Sequence, residues 1–157
     1  MDEVQRVKER MNERVMVSSE LVEEQENLVE EAQGDYSTYS KSQFLDDLER
    51  RLKLFMLRCV KVCRTLPQEY DAQHFGHQLI RSSSSTAANF RAVRRGRSQK
   101  EYYAKLSLTI EELDESLFWL ETLVFTEIIS EHRLLDLMDE GYQLLKILSK
   151  SRKTVSD

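Results

Sequence analysis

The sequence predicts an all-α chain: an antiparallel up-down four-helix bundle preceded by an additional N-terminal amphipathic helix. Three observations carry this expectation. The 157 residues include one proline, Pro67, and four glycines, far fewer turn formers than a β-rich fold of that length needs. Apolar residues recur at helical rather than alternating spacing. Short polar connections separate the periodic segments, as they do between helices that fold back on their neighbours.

Residues 2–33 hold no glycine or proline, and Val4, Val7, Met11, Val15, Val22 and Val29 recur at helical spacing. This predicts an acidic amphipathic helix over residues 1–34. Arg14, Ser18 and Gln25 interrupt its stripe, so a long coiled coil is not specified. Residues 35–41 are polar and read as a linker. The bundle is expected over 42–152, with 153–157 as a tail. Its first helix runs from about Ser42 to Thr65 with Phe44, Leu48, Leu52, Phe55, Cys59 and Val62 inward, and it ends before Pro67 because the residue preceding proline avoids the α region. The next runs from about Asp71 to Arg95. There Phe75, Leu79, Thr86, Phe90 and Val93 fall on one side, and Arg81, Arg91 and Arg95 nearly opposite. Gly96 suits a helix C-terminus. Ser98 and Glu101 make a capping box that starts the following helix. That helix reaches about Phe125 on a stripe of Tyr102, Leu106, Ile110, Leu113, Leu117, Leu120 and Val124. The last starts near Ser130 and buries Leu134, Leu135, Leu137, Met138, Tyr142, Leu145 and Leu148.

The net charge of −5 conceals a segregation: residues 1–40 carry −7, residues 58–105 carry +7 and residues 106–157 carry −6. Such asymmetry concerns partners rather than fold. Apolar residues make up 40% of the chain and charged ones 32%, too apolar for disorder and too charged for a membrane span. No apolar run approaches the roughly 18 residues that spanning requires. The first residues lack a basic start and apolar core, so no secretory signal and a cytoplasmic location are expected.

The candidate surface is the cluster Arg81, Arg91, Arg94, Arg95, Arg97, Lys100 and Lys105, opposed between Leu79 and Lys105 by Glu101 alone. Dense arginine suits phosphates through charge-assisted, often bidentate contacts. The competing reading pairs these cations with acidic helices, within the bundle or between subunits. The other constellations read as structural. Cys59 and Cys63 lie one helical turn apart, which is poor disulfide geometry. With His74 and His77 they match no common zinc spacing. The serines of Ser82–Ser85 fall within a helix, outside any nucleophile elbow, and permit close helix approach. Asn89 is expected to be buried and hydrogen-bonded. Glu111, Glu112, Asp114 and Glu115 read as a solvated acidic face, since the Glu-x-x-His motifs of di-iron bundles are missing. No cofactor, metal, catalytic residue or small-molecule substrate is expected.

From about Phe44 to Lys150 the chain resembles the four-helix bundle protein family that includes proteins encoded in intervening sequences of bacterial 23S rRNA and the accessory proteins of diversity-generating retroelements. Three ordered blocks carry the resemblance: Gln78 to Arg91, then Arg95-Gly96-Arg97-Ser98 with Glu101-Tyr102, then Asp114 to Glu121. Ala92 stands where many relatives carry Glu, which removes any pairing role of that acid. Residues 1–43 lie outside the resemblance. The resemblance implies a barrel-like homopentamer without enzymatic activity, and for the retroelement members it implies binding of a reverse transcriptase and its RNA. The expected function is therefore a non-enzymatic oligomeric adaptor that binds RNA, DNA or a nucleic-acid enzyme through a basic helix face. The alternative is a protein scaffolding module whose arginines serve the subunit interface. An uncovered apolar stripe on residues 1–34 also points to a homo-oligomer.

Overall fold

The computed structural model describes residues 40–156; the expected N-terminal helix lies outside the described residues. Residues from Leu45 onward form one compact unit, which carries the core. Among the described residues there are four helices, α1 (Lys41–Cys63), α2 (Tyr70–Val93), α3 (Gln99–Phe125) and α4 (Leu135–Ser156), with a single 3-10 turn at Glu131–Arg133. No strand occurs among the described residues.

Local chemistry sets the ends of these helices. Ser40 and Gln43 cap α1 reciprocally: Ser40 Oγ accepts from the Gln43 amide at 3.2 Å, and Gln43 Oε1 accepts from the Ser40 amide at 2.8 Å. The helix unwinds two residues before Leu66-Pro67, through bonds from Thr65 N to Val62 O and from Leu66 N to Cys63 O. Ser98 caps α3 as expected, its Oγ accepting from the Glu101 amide at 3.1 Å. The last helix starts later than expected. Ser130 is extended and makes no capping bond, so the 3-10 turn intervenes and the α-helix begins at Leu135. Gly96 has no positive φ, and the left-handed residue is Glu127, at φ 59° after the end of α3. There Glu127 N donates to Val124 O and Ile129 N to Leu123 O, satisfying carbonyls that α3 leaves open.

Each helix buries one stripe. In α1 these are Leu48, Leu52, Phe55 and Cys59. Phe44, expected inside, is exposed, since the stripe begins at Leu48. In α2 the buried side runs through Leu79, Ser82, Ser83, Thr86, Phe90 and Val93. In α3 it runs from Leu106 to Leu123, and in α4 through Leu137, Met138, Leu144 and Leu148. Leu144 takes the inward position expected of Leu145, which is half-buried. Each fully buried Leu or Phe contributes on the order of 1.5–3 kcal/mol.

Small residues bring the helices close. The Ser82 and Ser116 hydroxyls hydrogen-bond across α2 and α3 at 2.9 Å. Ser83 Oγ and Thr86 Oγ1 return their protons to the carbonyls of Leu79 and Ser82, so the buried hydroxyls are satisfied. On α4, a Cβ at Gly141 would lie 2.7 Å from Leu117 Cδ2 and 2.9 Å from Phe55 Cε2, so this glycine admits side chains from α1 and α3 together. Arg51 of α1 holds Glu140 of α4 through two bonds of 3.0 Å, Nε to Oε1 and Nη2 to Oε2.

Candidate partner-binding surface

The basic segment begins on the exposed side of α2 and continues through the connection into α3. Its cations fall into two sets. Arg81 and Arg94 are held by carboxylates within the bundle. Arg81 reaches α3, where it pairs with Glu115 and, at 3.5 Å, with Glu112, while its Nε donates to Gln78. Arg94, the residue that ends α2, turns back to α1 and pairs with Asp46 and Glu49, both at 2.5 Å. Glu49 also binds Lys53 at 2.6 Å, so one carboxylate serves two cations.

Titration follows these contacts. Hydrogen bonds from Lys53 and then Arg94 hold the Glu49 carboxyl below its usual range. The hydrogen bond from Arg81, with a second from the Trp119 indole at 3.1 Å, does the same for Glu115. Glu112 moves upward because burial outweighs the more distant Arg81.

The other set makes no ion pair among the described residues. Its members Arg91, Arg95, Arg97 and Lys100 are all exposed. Glu101, the one acid in the segment, uses its carboxylate locally: Oε2 accepts from the Arg97 amide at 3.0 Å. The capping box thus closes on the residue before Ser98. Lys105 is half-buried one turn further along α3.

The remaining constellations resolve into packing. Cys63 Sγ donates to Gly76 O at 3.3 Å, while Cys59 is fully buried. Burial pushes the Cys59 thiol up to about 12 and the Cys63 thiol up to about 11. Both are therefore protonated at neutral pH and poor nucleophiles. His74 lies 6.1 Å from the Trp119 ring at a near-perpendicular angle. Among the described residues no group of three or more His, Cys, Asp or Glu is placed to hold a metal ion. Asn89 departs from expectation. It is half-buried and has no side-chain hydrogen bond among the described residues, because its position lies at the edge of the α2 stripe. Sequence reasoning missed an aromatic cluster in which Phe75 stacks on Trp119 at 5.8 Å, Phe118 meets Trp119 edge-on at 4.9 Å and Tyr70 lies over His74 at 6.3 Å. The spacing of Tyr70, His74 and Phe75 on one helix was the available signal, but the ring that joins them comes from α3. None of the described helices is long and apolar enough to cross a membrane.

Fold and surface together define a small helical bundle with charged pairs between its helices and a cationic end. The sequence model of the 23S rRNA-intervening sequence protein family matches residues 48–150, and the chain belongs to that family. It is also similar to a crystal structure of a protein with unknown function from the S23 ribosomal protein family of Bacteroides thetaiotaomicron VPI-5482. The two share 25% identity with a TM-score of 0.65, over 69% of this chain and 97% of that one. No curated protein matches the chain.

Proposed function

We propose that the chain is a non-enzymatic oligomeric adaptor that engages nucleic acid, or an enzyme bound to one, through Arg91, Arg95, Arg97 and Lys100. The observation behind this is that these four cations are exposed and without a carboxylate partner among the described residues, in a chain whose net charge is −5. Arginines needed only for packing resemble Arg81 and Arg94, which find acids on neighbouring helices. Those two contribute less to binding, because a phosphate must compete with a bound carboxylate. Lys105 stands at the margin of the patch.

The reading takes the bundle, residues 42–152, as antiparallel and up-down. Four contacts support this. Ser82 meets Ser116 while His74 meets Trp119, so α2 and α3 run in opposite senses. Glu49 meets Arg94 while Cys63 meets Gly76, which gives the same relation for α1 and α2. Five subunits in the bacterial cytoplasm is the assembly that the family resemblance supports, with residues 1–34 as an appended helix, 35–41 as a linker and 153–157 as a tail. In a ring the patch is repeated, and weak phosphate contacts combine into avidity.

The test is RNA and DNA binding by the native chain at low and moderate salt, beside a variant with Arg91, Arg95, Arg97 and Lys100 changed to Gln. The native chain is expected to bind with little sequence preference and a steep loss with salt. No binding of either polymer at low salt refutes the reading. Dissociation of the variant into monomers assigns the four cations to a subunit interface instead.

A further inference from the structure

Outside the basic patch, most of α1 carries charge of one sign. From Arg50 to Gln68 the chain holds six cations and no acid. Arg50, Arg51 and Lys53 pair with Asp47, Glu140 and Glu49 respectively. Arg58, Lys61 and Arg64 make no ion pair among the described residues. Beside these three cations Leu54 and Leu57 turn outward, 45% and 43% exposed. Arg64 keeps the helical course, since its N donates to Val60 O. At about 100° per residue, the two leucines and three cations share about a third of the helix circumference, opposite the buried Leu48, Leu52, Phe55 and Cys59. A cation in the last turn, such as Lys61, suits the helix dipole. The dipole gives no reason for two leucines in water beside it.

The occupant of this face must use leucines and cations together. A nucleic acid meets the cations and leaves the leucines idle. A protein interface is depleted of lysine and draws its apolar centre from aromatic side chains, whereas this face holds two leucines among long cationic side chains. A layer of anionic headgroups over acyl chains uses both kinds of residue. We infer that the outward face of α1 docks on an anionic membrane surface. Leu54 and Leu57 enter the boundary between headgroups and acyl chains, while Arg58, Lys61 and Arg64 extend their stems along it and set their charges on lipid phosphates. The uniform positive charge of the stretch matches a surface of uniform negative charge. None of the described helices is long and apolar enough to cross a membrane, so α1 lies along the surface and the contact is peripheral. The inference goes beyond the proposed function and uses none of its four cations, so the two fail separately.

Flotation of the full chain with vesicles tests it, using phosphatidylcholine alone and an equal mixture of phosphatidylcholine and phosphatidylserine. The native chain is expected to float with the mixed vesicles at low salt, to stay behind with the neutral ones, and to detach as salt rises. Lys61→Gln with Arg64→Gln is expected to weaken the partition by about tenfold or more, and Leu54→Ser with Leu57→Ser by a similar factor. All four side chains are exposed, so both variants are expected to keep the native thermal midpoint, which separates a lost contact from a lost fold. The variant with Arg91, Arg95, Arg97 and Lys100 changed to Gln is expected to float as the native chain does. A native chain that ignores the mixed vesicles at low salt overturns the inference and leaves the face to an acidic protein. Equal flotation with neutral vesicles overturns it as well. So does folded protein of either α1 variant that floats like the native chain, or loss of flotation only when Arg91, Arg95, Arg97 and Lys100 are replaced.

Discussion

Gly141→Ala probes the meeting point of three helices. The added methyl would sit 2.7 Å from Leu117 Cδ2, 2.9 Å from Phe55 Cε2 and 3.3 Å from Leu117 Cγ. Phe55 and Leu117 are 0% and 1% exposed, so neither has solvent to move into. Overpacking a fixed core costs roughly 1–3 kcal/mol. Alanine returns about 0.5–1 kcal/mol through better helix propensity. The net expectation is a loss of about 1–2 kcal/mol, or roughly 3–8 °C in thermal midpoint for a domain of this size. Gly76→Ala is the control, because its methyl would crowd only Leu66 Cδ1, at 2.6 Å, with the Cys63 atoms at 3.8 and 3.9 Å. Leu66 belongs to the connection before Pro67 and is met at one side-chain end only, so this variant should cost less than Gly141→Ala. Both are compared by thermal and denaturant unfolding at one protein concentration, since assembly would shift the apparent stability. A Gly141→Ala protein as stable as the native chain, or more so, refutes the packing of α1, α3 and α4 described above.

Three further outcomes follow from the charged and thiol groups. Because the folded chain holds the Glu49 carboxyl below its usual range, the Lys53 and Arg94 contacts stabilise fully above the ordinary carboxylate range and are lost as pH falls through the lowered value. Arg94→Gln should therefore lower the unfolding midpoint near about pH 7 and make a progressively smaller difference as the pH falls below the ordinary carboxylate range; a loss that does not shrink with acidity contradicts the pairing. With thiols pushed up to about 12 and 11, Cys59 and Cys63 should alkylate at least roughly a hundredfold more slowly in the folded chain than after unfolding, at mildly alkaline pH. Rapid labelling of the native protein would show that the thiols are not shielded. Ser82→Ala should cost only about 0.5–1.5 kcal/mol, because Ser116 keeps its bond of 2.8 Å to Glu112 O. Ser82→Leu should cost more, since the seam between α2 and α3 has no room for it, and a Ser82→Leu protein of native stability would speak against that close approach.

The four helices could be read from the sequence because their signals are local. Periodic apolar residues, Pro67 and the Ser98–Glu101 box each act within one or two turns, and the structure places α1, α2 and α3 within a few residues of the expected spans. Errors arose where a local signal was ambiguous. Ser130 resembles a cap yet makes no capping bond, and Leu144 and Leu145 are equally apolar, so only the neighbouring helices decide which faces inward. Glu127, not a glycine, adopts the left-handed turn after α3, and a non-glycine there leaves no compositional trace. The cationic segment was visible as a charge excess, but its division was not. Arg94 finds Asp46 and Glu49 some 45 residues earlier, and Arg81 finds Glu112 and Glu115 more than 30 residues later. Those pairings depend on which helices become neighbours, which no local pattern encodes.

In the proposed function Arg91, Arg95, Arg97 and Lys100 bind phosphates. The most direct measurement is the salt dependence of RNA affinity for the native chain and for the variant with all four changed to Gln. Each phosphate contact contributes a slope of about −0.7 to −0.9 in log affinity against log salt. Tight binding is expected at low salt, with a slope that flattens by up to about 3 when the four cations are removed. An affinity and slope unchanged by the substitutions, or no binding by the native chain at low salt, would contradict it.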